Sequence, residues 1–91
     1  DTVVLFTSDH GDGHGAHQLN QKSFLYDEIV RVPFLLRPPG GMAGRSDDSL
    51  VSASLDIMPT LLDYAGIACP QPVRGRSLRP LLDGTARCKC V

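Results

Sequence analysis

The hydrophobic residues of this chain form short runs separated by glycine- and proline-rich segments. Thr2–Ser8 contains four consecutive apolar residues, two of them β-branched, which is typical of a strand buried on both faces of a parallel sheet. Pro33–Arg37 is a second short apolar run, and the Pro-Pro-Gly-Gly segment after it ends the predicted strand. Leu50–Ser54 is a candidate for a third, brief strand.

Two segments have helical patterns. In Ser23–Arg31, apolar residues recur at helical spacing, and Asp27 and Arg31 are placed to pair at i,i+4. The second helix is predicted over Asp56–Tyr64, where Asp56 or Ser54 can cap the N-terminus. Pro59 is expected in its first turn, and Gly66 just after its end.

The order strand, loop, helix, strand, loop, helix predicts an α/β fold. A parallel strand buried on both faces needs neighbouring strands and covering helices, and 91 residues supply few of them. We therefore expect part of a mostly parallel sheet flanked by helices, incomplete within this chain.

Composition narrows the function classes. The chain is 42% hydrophobic and 21% charged, as in soluble globular proteins. Its net charge of −1, with acids and bases interspersed, offers no basic field for nucleic acid or anionic lipid. No apolar run approaches the roughly 18 residues that span a bilayer. The start at Asp1, directly before a strand-like run, indicates truncation, so the missing signal peptide does not inform the compartment.

The three cysteines do not form a recognisable metal or disulfide pattern. Cys88 and Cys90 are separated by one residue, which is not zinc-ligand spacing, and Cys69 stands alone. We interpret all three as unpaired thiols, and they assign no redox compartment.

Candidate chemistry follows the first predicted strand. Asp9 and His10 lie where ligands bind in open α/β sheets, and a carboxylate beside an imidazole can ligate a divalent cation. Asp-His-Gly is also an ordinary turn sequence. His17 and Lys22 follow in the same glycine-rich segment, and a lysine ammonium suits an anionic substrate group. A solvated polar loop explains these residues equally well.

The ordered set of segments resembles the sulfatase family of the alkaline phosphatase superfamily. The resemblance covers residues 1–84 as a partial catalytic domain and leaves 85–91 as an unassigned tail. The matching segments are Thr7-Ser8-Asp9-His10-Gly11-Asp12, Gly15-Ala16-His17, Lys22, Tyr26-Asp27-Glu28, Arg31-Val32-Pro33, Pro39-Gly40, Leu55–Leu62, Ala65-Gly66-Ile67, Gly75–Leu78 and Pro80–Gly84.

The resemblance implies roles for four residues. Asp9 and His10 match the pair that coordinates the active-site divalent ion, usually calcium. Lys22 matches the lysine that contacts the sulfate, and His17 matches a histidine lining the same pocket, so both are candidate catalytic and substrate-binding residues. Tyr26 and Arg31 match positions that look structural, near the pocket floor, whereas Asp12 and His14 have no counterpart.

The resemblance also implies parts that this sequence lacks. The family's nucleophile is a formylglycine made in an upstream Cys-x-Pro-x-Arg motif, and the segment after Cys69 places Pro72 and Arg74 one position later than that motif requires. The upstream metal-binding aspartates are absent too. We therefore expect the N-terminal part of the same catalytic domain as a partner, and no activity from these 91 residues alone.

The resemblance implies a sulfuric ester hydrolase acting on a sulfated small molecule or glycan. Two alternatives stay open: a phosphonate monoester or phosphodiester hydrolase of the same superfamily, and a non-catalytic, anion-binding relic. Members of the family are often periplasmic, secreted or lysosomal, which does not assign a compartment to this chain.

Overall fold

A computed structural model describes residues 1–18, 21–70 and 72–85. Its elements in chain order are strand β1, a 3-10 turn, helix α1, strand β2, and helices α2 and α3. They span Val4–Thr7, Ala16–Gln18, Asp27–Val30, Phe34–Arg37, Ala53–Ala65 and Arg79–Leu82. Cys88 and Cys90 lie outside the described residues. Within the described part, no helix has the length and apolarity needed to cross a membrane.

The two predicted strands form, but they pair antiparallel. Val4 lies opposite Arg37 and Phe6 opposite Leu35. The parallel pairing that we predicted is not confirmed. The chain leaves β1 and enters β2 at the same end of the strand pair, so the two strands run in opposite directions. A parallel partner would require a crossover to the opposite end of the sheet.

The prediction that β1 is buried on both faces is wrong for this chain. Val4, Phe6 and Leu35 share one face of the strand pair and are 48%, 60% and 64% exposed. Leu5 and Leu36 lie on the other face and are partly buried. Among the described residues, the first face is therefore largely open to solvent.

Helix α1 is a single turn, shorter than the Ser23–Arg31 helix that we predicted. Tyr26 has extended backbone angles and no side-chain cap, so the helix begins only at Asp27. At the other end Arg31 is already extended, and Pro33 disfavours helix at Val32, the residue that follows. The predicted ion pair is confirmed, with Arg31 Nε 3.4 Å from Asp27 Oδ2.

Helix α2 begins three residues earlier than the predicted Asp56–Tyr64 and ends one residue later, at Ala65. Its N-cap is Ser52, so the expected strand at Leu50–Ser54 does not form and Asp56 is not the cap. The Asp56 carboxylate instead accepts the Ser52 backbone N–H at 2.9 Å. At the other end Gly66 takes a left-handed φ of 68°, which lets the chain leave the helix.

The expectation that Pro59 lies in the first turn of α2 is also wrong, since Pro59 lies inside the helix. A proline there has no N–H to donate to the carbonyl four residues earlier, that of Leu55. Gly75 packs directly against this carbonyl, and a Cβ at Gly75 would overlap with it. The Leu55 carbonyl, which receives no N–H from Pro59, therefore lies against the segment that precedes α3.

Candidate functional site

The segment from Ser8 to Lys22 leaves β1 and begins with a tight polar turn. The Asp9 carboxylate accepts the backbone N–H of His10 at 2.9 Å, and Ser8 Oγ donates to the His10 carbonyl at 2.7 Å. Such local hydrogen bonds are the usual means by which aspartate and serine stabilise turns. The Asp9 side chain is 83% exposed, so its carboxylate is accessible to a ligand.

His10 is held so that one ring nitrogen is fixed as a donor. Its Nδ1 lies 2.7 Å from the Gly11 carbonyl oxygen. A carbonyl only accepts, so Nδ1 carries the proton, and Nε2 of the neutral ring has the lone pair that accepts from Lys22. Nε2 lies 3.0 Å from Lys22 Nζ and 3.5 Å from Asp9 Oδ2. The structure therefore brings together three of the four predicted site residues.

The turn is fastened to α1 through Gly11. The Gly11 N–H donates to the Ile29 carbonyl at 2.7 Å, and a Cβ at Gly11 would overlap with the carbonyl oxygen of Glu28. Glycine is required because the backbone of the turn contacts the backbone of the helix. Ile29 itself is only 5% exposed, so this contact lies against a buried residue.

His17 contacts other side chains than these three residues do. It adopts a left-handed φ of 54° within the 3-10 turn. Its ring stacks on Tyr26, with the ring centroids 4.1 Å apart and an interplanar angle of 15°. Its Nε2 lies 3.6 Å from Glu28 Oε1. Among the described residues, we find no hydrogen bond or ion pair between His17 and the Asp9 cluster.

Sequence reasoning missed the two partners of His17. It placed Tyr26 near the pocket floor and gave Glu28 no role. The one signal was the Tyr-Asp-Glu segment in the resemblance, which does not say that its first and third side chains contact a histidine nine to eleven residues earlier.

Backbone N–H donors lower the pKa of two carboxyl groups in the loop, those of Asp9 and Asp12. The pKa of Asp9 is lowered mainly by the backbone N–H of His10, with smaller contributions from the His10 ring and from Lys22. The pKa of Asp12 is lowered mainly by the backbone N–H of His14. Asp12 and His14 contact each other, with His14 Nδ1 3.9 Å from Asp12 Oδ1, and His14 is 87% exposed. Asp12 and His14 therefore contact each other within the loop, consistent with the absence of a counterpart for either in the family motif.

The donor set of the turn fits a divalent cation in type but not in number. Asp9 offers a hard carboxylate oxygen, and His10 offers Nε2 of a ring whose other nitrogen is anchored to a carbonyl, the usual arrangement for a metal-ligating histidine. In residues 1–18, 21–70 and 72–85, no group of three or more His, Cys, Asp or Glu side chains could hold a metal ion. Calcium takes about 6–8 oxygen ligands, so a cation here would need further ligands.

Comparisons with known proteins agree on one family. The family model of the C-terminal part of N-sulphoglucosamine sulphohydrolase matches residues 15–89, which include His17 and Lys22. The N-acetylglucosamine-6-O-sulfatase of Bacteroides thetaiotaomicron is 36% identical over 86 residues, covering 94% of this chain and 15% of that protein. Arylsulfatase K of Homo sapiens is 42% identical over 84 residues, covering 92% of this chain and 16% of its own length.

Solved structures give the same result. The chain is similar to a 2-O GAG sulfatase with a TM-score of 0.82 and 40% identity, over 99% of this chain and 20% of that one. A protein solved with its substrate D-glucosamine-2-N,6-O-disulfate matches with a TM-score of 0.82 and 35% identity, over 98% of this chain and 18% of that one. The chain spans about a sixth of the length of the N-acetylglucosamine-6-O-sulfatase and of arylsulfatase K, at 15% and 16%.

Proposed function

The chain belongs to the sulfatase family, and from this premise we propose that it supplies the metal- and sulfate-binding part of a sulfuric ester hydrolase. The observation that carries the proposal is the convergence of Asp9, His10 and Lys22. One imidazole nitrogen of His10 lies within 3.5 Å of both the carboxylate and the ammonium group. These are the residue types that hold a cation and an anion side by side.

The chemistry explains why this pairing is useful. Cleavage of a sulfate ester builds negative charge on the leaving oxygen and on the sulfate oxygens, and fixed positive groups stabilise that charge best where water is excluded. In the proposed site the Lys22 ammonium contacts a sulfate oxygen and orients the ester. Asp9 and His10 would hold a divalent ion, with calcium expected, which supplies Lewis-acid stabilisation of the same oxygens.

His17 completes the anion side of the proposed pocket. A protonated imidazole donates from both ring nitrogens, so it can bind a sulfate oxygen and a protein carboxylate at once. The nucleophile implied by the resemblance, a formylglycine, has no matching motif in this sequence. We propose that the N-terminal part of the catalytic domain supplies both the nucleophile and the remaining metal ligands.

The exposed apolar surface supports that partner. A groove of about 1620 Å³ is lined by the exposed face of the strand pair together with residues 42–54, and of the four predicted site residues only Asp9 lines it. The chain exposes 7096 Å², against roughly 5,200 Å² expected for a compact protein of its mass. We propose that residues 1–84 pack there against the rest of the domain, with the antiparallel pair at the edge of a larger, mostly parallel sheet.

The proposed substrate is a sulfated sugar or glycan. This rests on relatives named for sulfated sugars, including the N-acetylglucosamine-6-O-sulfatase, and on the similar protein solved with D-glucosamine-2-N,6-O-disulfate.

The experiment compares hydrolysis rates of the protein that carries this chain on a sulfated glucosamine, an aryl sulfate and an aryl phosphodiester. The proposal predicts that a sulfate ester is cleaved fastest and that calcium chelation abolishes the reaction. A dominant phosphodiesterase rate would replace the sulfatase assignment with the related phosphoryl-transfer activity. Anion binding without any hydrolysis would indicate the non-catalytic alternative.

A further inference from the structure

We propose that Glu28 is a positioning residue for His17, fixing which nitrogen of the imidazole faces the sulfate. The inference rests on the proposed function, in which His17 lines the sulfate pocket. It goes beyond that function by assigning a role to a carboxylate that has had none.

The His17 ring is constrained in two ways. Stacking on Tyr26, at 4.1 Å between centroids, fixes the plane of the ring. The Glu28 carboxylate, with Oε1 3.6 Å from Nε2, makes an ion-pair contact that favours one orientation of the ring within that plane. Nε2 then carries a proton toward the carboxylate, and on the protonated ring Nδ1–H is the donor left to face an anionic oxygen.

The neighbouring carboxylate of α1, that of Asp27, is paired with Arg31 and not with His17. Arg31 Nε lies 3.4 Å from Asp27 Oδ2, and both of these side chains are more than three-quarters exposed, at 82% and 76%. Glu28 is less exposed, at 44%, and its carboxylate contacts His17. The two adjacent carboxylates of one helical turn therefore have different partners.

The backbone of the same helix supports the other half of the site. The Glu28 carbonyl oxygen lies against Gly11, and the Ile29 carbonyl accepts the Gly11 N–H at 2.7 Å. Helix α1 thus contacts the Asp9–His10 turn through its main chain and His17 through a side chain. This single helical turn therefore fixes the relative positions of the proposed metal-binding turn and of His17.

The test is Glu28→Gln in the protein that carries this chain, with Asp27→Asn as the matched control. Both substitutions neutralise one carboxylate of α1 and keep its shape. We expect Glu28→Gln to lower kcat/KM on a sulfate ester about tenfold, by analogy with carboxylates that orient metal-ligating histidines. Asp27→Asn should stay within about twofold, since its ion pair is exposed. Both variants should melt like the wild type.

A double-mutant cycle separates positioning from general support. In a His17→Ala background, Glu28→Gln should cost nothing further, because the residue that it orients is gone. At a pH where the His17 ring is neutral, nitrogen NMR should show the Nε2–H form in the wild type and a mixture of tautomers in Glu28→Gln. A tenfold loss that persists without His17 would overturn the inference.

The two proposals fail in different ways. If Lys22→Ala abolishes sulfate-ester hydrolysis while Glu28→Gln has no effect, the positioning role is wrong and the proposed function stands. If the wild type does not hydrolyse sulfate esters, the proposed function fails. The tautomer of His17 then still decides whether Glu28 orients the ring.

Discussion

Two polar clusters of this chain differ in how their side chains are satisfied. Where α2 meets the segment before α3, Asp56 is 5% exposed and accepts the backbone N–H groups of Ser52 and Arg76 at 2.9 and 3.0 Å. Thr60 is fully buried, donates to the Asp56 carbonyl and accepts the Leu78 N–H at 3.0 Å. In the loop after β1, by contrast, the Asp9 carboxylate is 83% exposed.

The contrast separates architecture from function within one small chain. A buried carboxylate whose oxygens are both occupied stabilises the fold and has no capacity left for a ligand. An exposed carboxylate beside an imidazole and an ammonium group does little for the fold, because water competes for its contacts. The variants below should therefore damage either activity or stability, but not both.

The largest expected effect is on activity, at Lys22. Lys22→Ala should lower kcat/KM on a sulfate ester by about two to three orders of magnitude, as removal of one fixed positive contact typically does. The free energy of unfolding should change by less than about 0.5 kcal/mol, since exposed substitutions rarely do more. Steady-state kinetics and a denaturant titration on the same preparation check both. A comparable loss of stability would erase the contrast between the clusters.

The next effect is on stability, at Asp56. Asp56→Ala leaves two backbone N–H groups without their acceptor and should cost about 3 kcal/mol of unfolding free energy. Asp47→Ala is the control, because the Asp47 carboxylate also accepts a backbone N–H, that of Ser49 at 2.9 Å, but on the surface. The control should cost under about 1 kcal/mol. Equal losses in urea titrations of the two variants would show that burial does not distinguish them.

Tyr64 should show the smallest stability effect. Its hydroxyl is the one side-chain polar atom found buried without a hydrogen-bond partner among the described residues. Tyr64→Phe should therefore be neutral or stabilising by about 1 kcal/mol. A measured loss of more than that would mean that the hydroxyl has a partner.

Tyr64 also gives a pH dependence with a defined sign. Burial raises the pKa of Tyr64 above its ordinary 10.0. The unfolded chain then releases this proton first, so the contribution to stability is present below pH 10 and is lost as pH rises further. Unfolding titrations between pH 9 and 11 should show a steeper alkaline loss in the wild type than in Tyr64→Phe. Parallel curves for the two proteins would show that folding does not raise the pKa of Tyr64.

What the sequence could predict was local. The two strands and the end of α2 at Gly66 follow from short apolar runs and from glycine's tolerance of positive φ. The antiparallel pairing of β1 with β2 depends on the path of residues 8–33, which no local pattern encodes. The start of α2 was misplaced because Ser52, not Asp56, is the N-cap, and the Asp56 carboxylate accepts the Ser52 N–H from inside the helix.

The candidate site divides in the same way. Asp9, His10 and Lys22 could be named from the resemblance, and the structure brings their side chains together. The pairing of His17 with Glu28 could not, because it depends on a left-handed φ at His17 and on the one-turn length of α1. Both are consequences of how the loop folds back on the helix.

The proposed role of Asp9 as a metal ligand can be tested by comparing two carboxylates of the same loop in the protein that carries this chain. Asp9 and Asp12 each accept the backbone N–H of a histidine and each have a lowered pKa, but only Asp9 lies beside His10 Nε2. The account predicts that Asp9→Ala loses the bound divalent ion and about two orders of magnitude in sulfate-ester hydrolysis. Asp12→Ala should keep both. Wild-type metal content and activity in Asp9→Ala would contradict the account.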